Sequence, residues 1–317
     1  MTFVKNQNLN VDFYAEIEPY LDQFPQYVLR DNKLQSCSPF REERNPSFAV
    51  NLENGTWIDS GALGDYHKGH FIQLLSFLRE EPEEDTVDYL LSAYSPLMKE
   101  EADLHLNMAG FGSINKQEPL KVFSAEELKQ YAFRHPYLGN RGISEEIQRK
   151  FRVGYDPHKK AVAMCWCNAD GEVINIKFRS VTAKYFWYAN GQRIKNFVYG
   201  YFQCVTHPSK VVAVTESEID CLRLWTLGIP AVALGTAHIS QQQIELLLRL
   251  DVEELVIATD SDAAGRECAK QLEGLFAGAY RLTNFNFFGT PAKDISDLSD
   301  EEIRLRFNSR KALTFTF

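Results

Sequence analysis

The sequence predicts a mixed α+β and α/β fold: a small β-rich domain first, then a core that ends in a parallel sheet. Three observations predict it. Residues 211–215 and 255–259 are short apolar, β-branched runs, each followed at once by acids and then a helical pattern, as in buried parallel strands. Residues 161–167 and 172–179 flank Asn168-Ala169-Asp170-Gly171, a hairpin signature. Residues 46–50 and 56–58 flank Glu53-Asn54-Gly55, a turn with Asn-Gly chemistry.

Taken in order, the chain opens with an amphipathic helix around Phe13, Ile17, Tyr20 and Leu21 and a connection broken by Pro25. The two strands above follow. A helix over 69–79 then sets Phe71, Leu74, Leu75 and Leu78 on one side. Glu80 to Asp85 with Asp88 reads as a solvated acidic face. From Ser95 to Leu120 the periodicity fades and Gly, Pro, Asn and Ser gather, as in an interdomain linker. Ser124 with Glu127 forms a capping box. A turn over 137–144 leads to a second capped helix at 145–151. Lys177 and Arg179 share one strand face, and Lys184, Arg193 and Lys195 follow among aromatic rings. Helices are expected after Asp220 and over 263–276, a strand over 279–288, and a short helix over 299–307.

Net charge is −9 over 317 residues, which argues against a simple polyanion-binding protein. Its distribution is more informative. Residues 121–210 hold 15 Lys/Arg against 7 Asp/Glu, and residues 211–317 hold 10 against 16. A phosphate backbone needs the first kind of surface, and metal-assisted phosphoryl chemistry the second. Six cysteines at no framework spacing predict reduced thiols, with Cys165 and Cys167 in a core. The polar N-terminus and the absence of an apolar run near the ~18–20 residues of a membrane span predict a cytoplasmic protein.

Glu216 stands directly after the first parallel strand, and Asp260 and Asp262 directly after the second. In an open α/β sheet, both strand ends face the ligand crevice. Like charges gathered there repel unless a cation neutralises them, and hard oxygen ligands suit Mg²⁺ or Mn²⁺. Taken singly, each acid is simply what a helix N-terminus attracts. The pair of strand ends is what favours a metal.

Glu216-x-Glu218-x-Asp220 and Asp260-x-Asp262-x-x-Gly265-Arg266 resemble the two signatures of the TOPRIM domain, shared by bacterial-type primases, topoisomerases of types IA and II and some small nucleases. Ser217 departs from the Gly that primases often carry. Lys293-Asp294-x-x-Asp297 is similar to the motif that follows TOPRIM in primases. Tyr137-Leu138-x-x-Arg141-Gly142-Ile143, Lys177-x-Arg179 and Lys184-Tyr185 resemble the polymerase subdomain that precedes it. Pro39-Phe40, Glu43 and Pro46-Ser47-Phe48 resemble the primase zinc ribbon, but its four ligand positions fall on Ser38, Arg41, Asp59 and Ala62. That set predicts a ribbon without zinc, held by packing of Phe40, Phe48, Trp57 and Phe71.

The resemblance implies a DNA primase that joins ribonucleoside triphosphates into short RNA primers on a single-stranded DNA template. It implies catalysis with Mg²⁺ or Mn²⁺, two ions being expected, on Glu216, Asp260 and Asp262, and Asp294 as a further ligand. Lys177, Arg179, Lys184, Arg141, Arg266 and Lys293 would hold nucleotide or nucleic acid. A replicative helicase acting in trans is the implied protein partner, and a phage or other mobile element the implied source. The expected domains are 1–94 (ribbon-like), 95–120 (linker), 121–208 (basic subdomain), 209–290 (TOPRIM) and 291–317 (C-terminal segment). A TOPRIM nuclease and a non-catalytic single-strand-binding initiation module are the competing readings.

Overall fold

The computed structural model describes residues 2–4, 7–62, 66–94, 121–236 and 238–313. The expected linker, 95–120, lies outside them. The chain divides into two compact units: residues 1–120 with 183–185, and residues 121–182 with 186–317.

In the first unit, β1 (Thr2–Val4) pairs antiparallel with β2 (Gln7–Leu9). Asp12 caps the helix Phe13–Ile17 by accepting from the Ala15 N–H at 3.1 Å. The predicted helix stops early. Residues Glu18–Gln23 tighten into a 3₁₀ turn with Pro19 near its start, and Tyr20 leaves helical geometry at φ −112°, ψ 15°. An antiparallel sheet follows in the order β3 (Val28–Arg30), β4 (Lys33–Ser36), β5 (Phe48–Asn51), β6 (Trp57–Asp59), β7 (Lys68–Gly69). β5 and β6 fall where the Asn-Gly turn puts them. β3 and β4 replace the expected connection. Their turn residues, Asp31 and Asn32, both have positive φ (48° and 56°), the geometry of a two-residue hairpin that Asp and Asn tolerate.

Phe40, Phe48 and Trp57 are buried, with Phe40 5.7 Å from Phe48 and 5.0 Å from Trp57 between ring centroids. The helix Phe71–Leu78 closes this core, with Phe71 edge-on to Phe13 at 4.6 Å. The acidic run is only in part a solvated face: Glu80, Glu83 and Glu84 are exposed, while Glu81 and Asp85 are buried. Glu81 is buried, receives Arg79 Nε at 2.6 Å and Thr86 Oγ1 at 2.8 Å, and precedes the helix Glu83–Tyr94. Arg79 supplies the charge that makes this burial affordable.

The second unit holds two sheets. The first is antiparallel, in the order β11 (Phe186–Tyr188), β10 (Val173–Ser180), β9 (Ala161–Cys167), β8 (Gly154–Asp156). The second has the order β13 (Ala231–Ala233), β12 (Val211–Thr215), β14 (Glu254–Ile257), β15 (Arg281–Asn284), β16 (Lys311–Ala312). Its first four strands are parallel, and β16 returns antiparallel. A continuous apolar core joins Trp166 and Ile174 of the first sheet to Val212, Val214, Val256 and Leu282 of the second. Cys165 and Cys167 are buried, as expected, and burial pushes the Cys165 thiol up to about 12. The strand expected over 279–288 is trimmed to β15. No helix among the described residues is long and apolar enough to cross a membrane.

Candidate active site at the carboxyl edge of the parallel sheet

β12 and β14 are neighbours in parallel register, Val214 opposite Ile257. The residues that follow them therefore emerge on one edge of the sheet. Glu216 Oε1 accepts the backbone N–H of Asp260 at 2.9 Å, a direct tie between the two motifs. Asp262 caps the helix Ala263–Phe276, its Oδ1 accepting the Gly265 N–H at 2.8 Å. Gly265 is required by space. A Cβ there would lie 2.2 Å from the Asp260 carbonyl oxygen and 2.8 Å from Glu216 Oε1. The helix N-terminus thus abuts the acids, and its dipole favours negative charge there. Cys268 lies beneath. Burial first, then Glu216 and Asp260, push its thiol well above the usual range.

The other acids of the first motif look inward. Glu218 is 2% exposed at the start of the helix Glu218–Thr226. It accepts Lys177 Nζ at 3.1 Å and the Trp166 indole N–H at 3.0 Å. Lys177, expected at a nucleic-acid surface, is 3% exposed and committed to this pair, because β10 is buried on the face that carries it. Asp220 is also buried. It accepts Ser217 Oγ at 2.7 Å, the Ser296 N–H at 2.9 Å and Ser296 Oγ at 2.7 Å, so it ties the first motif to the segment after Asp294.

Asp294 caps the turn Ile295–Asp297. Its carboxyl is pushed up to about 7 by burial, then by the neighbouring charges of Asp220 and Asp297, with Arg141 acting the other way. The structure therefore groups Asp294 with Asp220. The Lys293 carbonyl accepts the Ser261 N–H at 2.8 Å, which joins this segment to the second motif.

The remaining expected cations are distributed. Arg141 is exposed, with its guanidinium 4.8 Å from the Tyr137 ring centroid. Arg266 is exposed and donates to the Ser261 carbonyl at 2.5 Å, across the Asp260–Asp262 turn. Lys293 is exposed at its side chain. Arg179 is half-buried, and its Nε is buried without a hydrogen-bond partner. Lys184 falls in the first unit, where its backbone N–H donates to the Phe40 carbonyl at 2.8 Å.

The carboxylates from the two strand ends are oxygen donors of the kind that suit a hard divalent cation. Among the described residues, no three His, Cys, Asp or Glu side chains form a ready ligand set. Glu216 and Asp262 are instead turned to backbone N–H groups, a favourable alternative for anions that repel one another. The buried Lys177–Glu218 pair was missed from sequence. Its only signal was a lysine set between the apolar Ile176 and Phe178.

Residues 213–299 match the Toprim-like family model. The chain is similar to bacterial DNA primases. It is 26% identical to the Helicobacter pylori DNA primase, covering 86% of this chain and 54% of that protein. It is 25% identical to the Haemophilus influenzae DNA primase, covering 74% of this chain and 48% of that one. It thus spans about half the length of the curated relatives it matches. Among solved structures, the zinc-binding and RNA polymerase domains of the Aquifex aeolicus primase align over 96% of this chain and 84% of theirs, at 18% identity and TM-score 0.49.

Proposed function

We propose that this chain is a primase-type nucleotidyltransferase, which joins ribonucleoside triphosphates on a single-stranded DNA template. One observation carries the reading: Glu216 and Asp260, from adjacent parallel strand ends, are tied by a hydrogen bond beside Gly265, in a chain related to DNA primases. The reaction is attack of a 3′-hydroxyl oxygen on an α-phosphorus. A new P–O bond forms, the bond to the β-phosphate breaks, and pyrophosphate leaves.

Glu216, Asp260 and Asp262 would hold divalent cations, Mg²⁺ or Mn²⁺, with Asp294 as a further contributor. Such ions, when bound, neutralise the entering and leaving oxygens. The chain's own part is positioning. The Asp260 N–H keeps Glu216 aimed at the edge, and the Gly265 N–H keeps Asp262 in place. Lys177 and Trp166 fix Glu218, and through it the turn that carries Glu216. Arg141, Arg266 and Lys293 are exposed and would meet phosphate groups. Arg179 and Lys184 are assigned to template or nucleotide. A helicase acting in trans fits this reading as the partner that supplies single strands.

The test is incubation with a mixed single-stranded template, labelled ribonucleotides and Mg²⁺, followed by gel analysis. The expected result is a ladder of short RNA that disappears without divalent cation and falls about 10²–10³-fold in Glu216→Gln and Asp260→Asn, the scale of losing a key electrostatic contributor. Shortening of labelled DNA without added nucleotide would assign a nuclease instead. Template binding that survives EDTA and both substitutions, with no synthesis, would assign a non-catalytic module.

A further inference from the structure

The zinc ribbon that residues 38–62 resemble needs four thiolate or imidazole ligands around one ion. The four positions here are a hydroxyl, a guanidinium, a carboxylate and a methyl, from Ser38, Arg41, Asp59 and Ala62. This donor set does not fit zinc, since a guanidinium is a permanent cation without a lone pair to give. The structure nevertheless gathers three of the four into one network. Arg41 Nη2 meets Asp59 Oδ1 at 3.0 Å while Nε meets Oδ2 at 3.3 Å, a two-point contact. The same Nη2 reaches Glu43 Oε2 at 2.5 Å and Ser47 Oγ at 2.8 Å. Ser47 Oγ in turn lies 2.8 Å from Glu43 Oε1 and 2.9 Å from Asp59 Oδ1. Backbone groups complete the set: Ser38 N–H donates to Glu43 Oε1 at 2.6 Å, and Gly61 N–H to Asp59 Oδ1 at 3.0 Å.

We infer that Arg41 is the cation at the centre of this fold, and that its guanidinium clamps the 38–47 loop to the end of β6 as a metal would clamp two knuckles. Three observations support it. Asp59 is fully buried, so its charge needs a fixed counter-ion, and Arg41 is the one it has. The bonds of Arg41 span two chain segments 18 residues apart, the cross-linking a structural metal provides. Gly61 leaves room for it, since a Cβ there would fall 2.0 Å from Arg41 Nη2. The planar fork of Arg satisfies two carboxylates and a hydroxyl at once, which the single ammonium of Lys cannot reproduce. A unit so built folds without metal, and chelators or thiol oxidants that release zinc from a thiolate site leave it intact.

Hydrogen exchange of the full-length protein, read on peptides covering residues 33–62, tests this. In wild type purified in metal-free buffer, exchange should be unchanged by EDTA or by added zinc. Elemental analysis should find no stoichiometric zinc. Arg41→Lys, which keeps the charge, and Asp59→Asn, which keeps the shape, should each speed exchange at least about tenfold there, with residues 211–284 unaffected. If Arg41→Ala fails to fold, these two conservative variants carry the measurement. Stoichiometric zinc in the wild type, faster exchange on chelation, or wild-type exchange in both conservative variants would overturn the inference.

Discussion

Lys177 and Glu218 offer the sharpest energetic prediction. The pair lies at 3.1 Å with both side chains almost wholly excluded from solvent, and the Trp166 indole is the other donor to Glu218 at 3.0 Å. Lys177→Met keeps the length and apolar body of the side chain but removes the ammonium. Glu218 is then a buried carboxylate with one neutral donor. Removing one member of a buried pair costs about 3–5 kcal/mol, mostly the desolvation of the charge left behind. For a unit of roughly 190 residues that is a fall in Tm of about 6–20 °C. Lys177→Met/Glu218→Gln removes both charges and should recover most of the loss, since buried pairs gain little over neutral replacements. Urea unfolding followed by circular dichroism gives the four corners of the cycle, with a coupling of about 2 kcal/mol or more. A Lys177→Met variant within about 1 kcal/mol of wild type, yet weakened in single-strand binding, would refute the burial argument and return Lys177 to the nucleic-acid surface.

Gly265→Ala should lower primer synthesis at least tenfold and cost about 1–3 kcal/mol, because its Cβ meets the Asp260 carbonyl and Glu216 with no flexible side chain to yield on the backbone side; urea unfolding beside the primer assay checks both. Asp59 should make the first unit acid-sensitive. Burial works to raise its carboxyl, but hydrogen bonds from Arg41, Ser38 and Ser47 outweigh it and hold the carboxyl below the usual range, with Glu43 the other charged group on the same guanidinium. A depressed carboxylate stabilises the folded state above its unfolded value near 3.8 and loses that contribution as pH falls through the folded one. The protection of residues 33–62, taken as hydrogen exchange relative to the intrinsic rate at each pH, should therefore fall below about pH 4 in wild type and less so in Asp59→Asn. Asp220→Ala should loosen the segment after Asp294, since Ser296 gives it both a backbone and a side-chain hydrogen bond; protease nicking near 290–298 reads this directly.

Much of this arrangement is legible in the sequence because the physics is local. A β-branched run ending in an acid reads as a buried strand with a charged carboxyl end, and β12 and β14 are such strands. Ser124 and Ser144 read as helix caps, and each accepts from its third helical residue. What escaped is non-local. Lys177 looks like a surface cation until Glu218, 41 residues on, packs against it. Glu81 looks solvated until Arg79 turns inward with it. Arg41 looks like the loss of a ligand until Asp59, another ligand position, is found to pair with it. In each case a charge was read alone, and its counter-charge comes from the fold. The Asp31-Asn32 hairpin is different. Its signal was local, and the expectation of a loop after Pro25 hid it.

The convergence of the strand-end acids on a divalent cation is tested most directly by soaking crystals in Mn²⁺ and locating it by anomalous scattering. The account predicts manganese at the edge of β12 and β14, within about 2.0–2.3 Å of oxygens from Glu216 and from Asp260 or Asp262. A peak held by Asp220 and Asp297 alone, or none near these oxygens at saturating manganese, would contradict it.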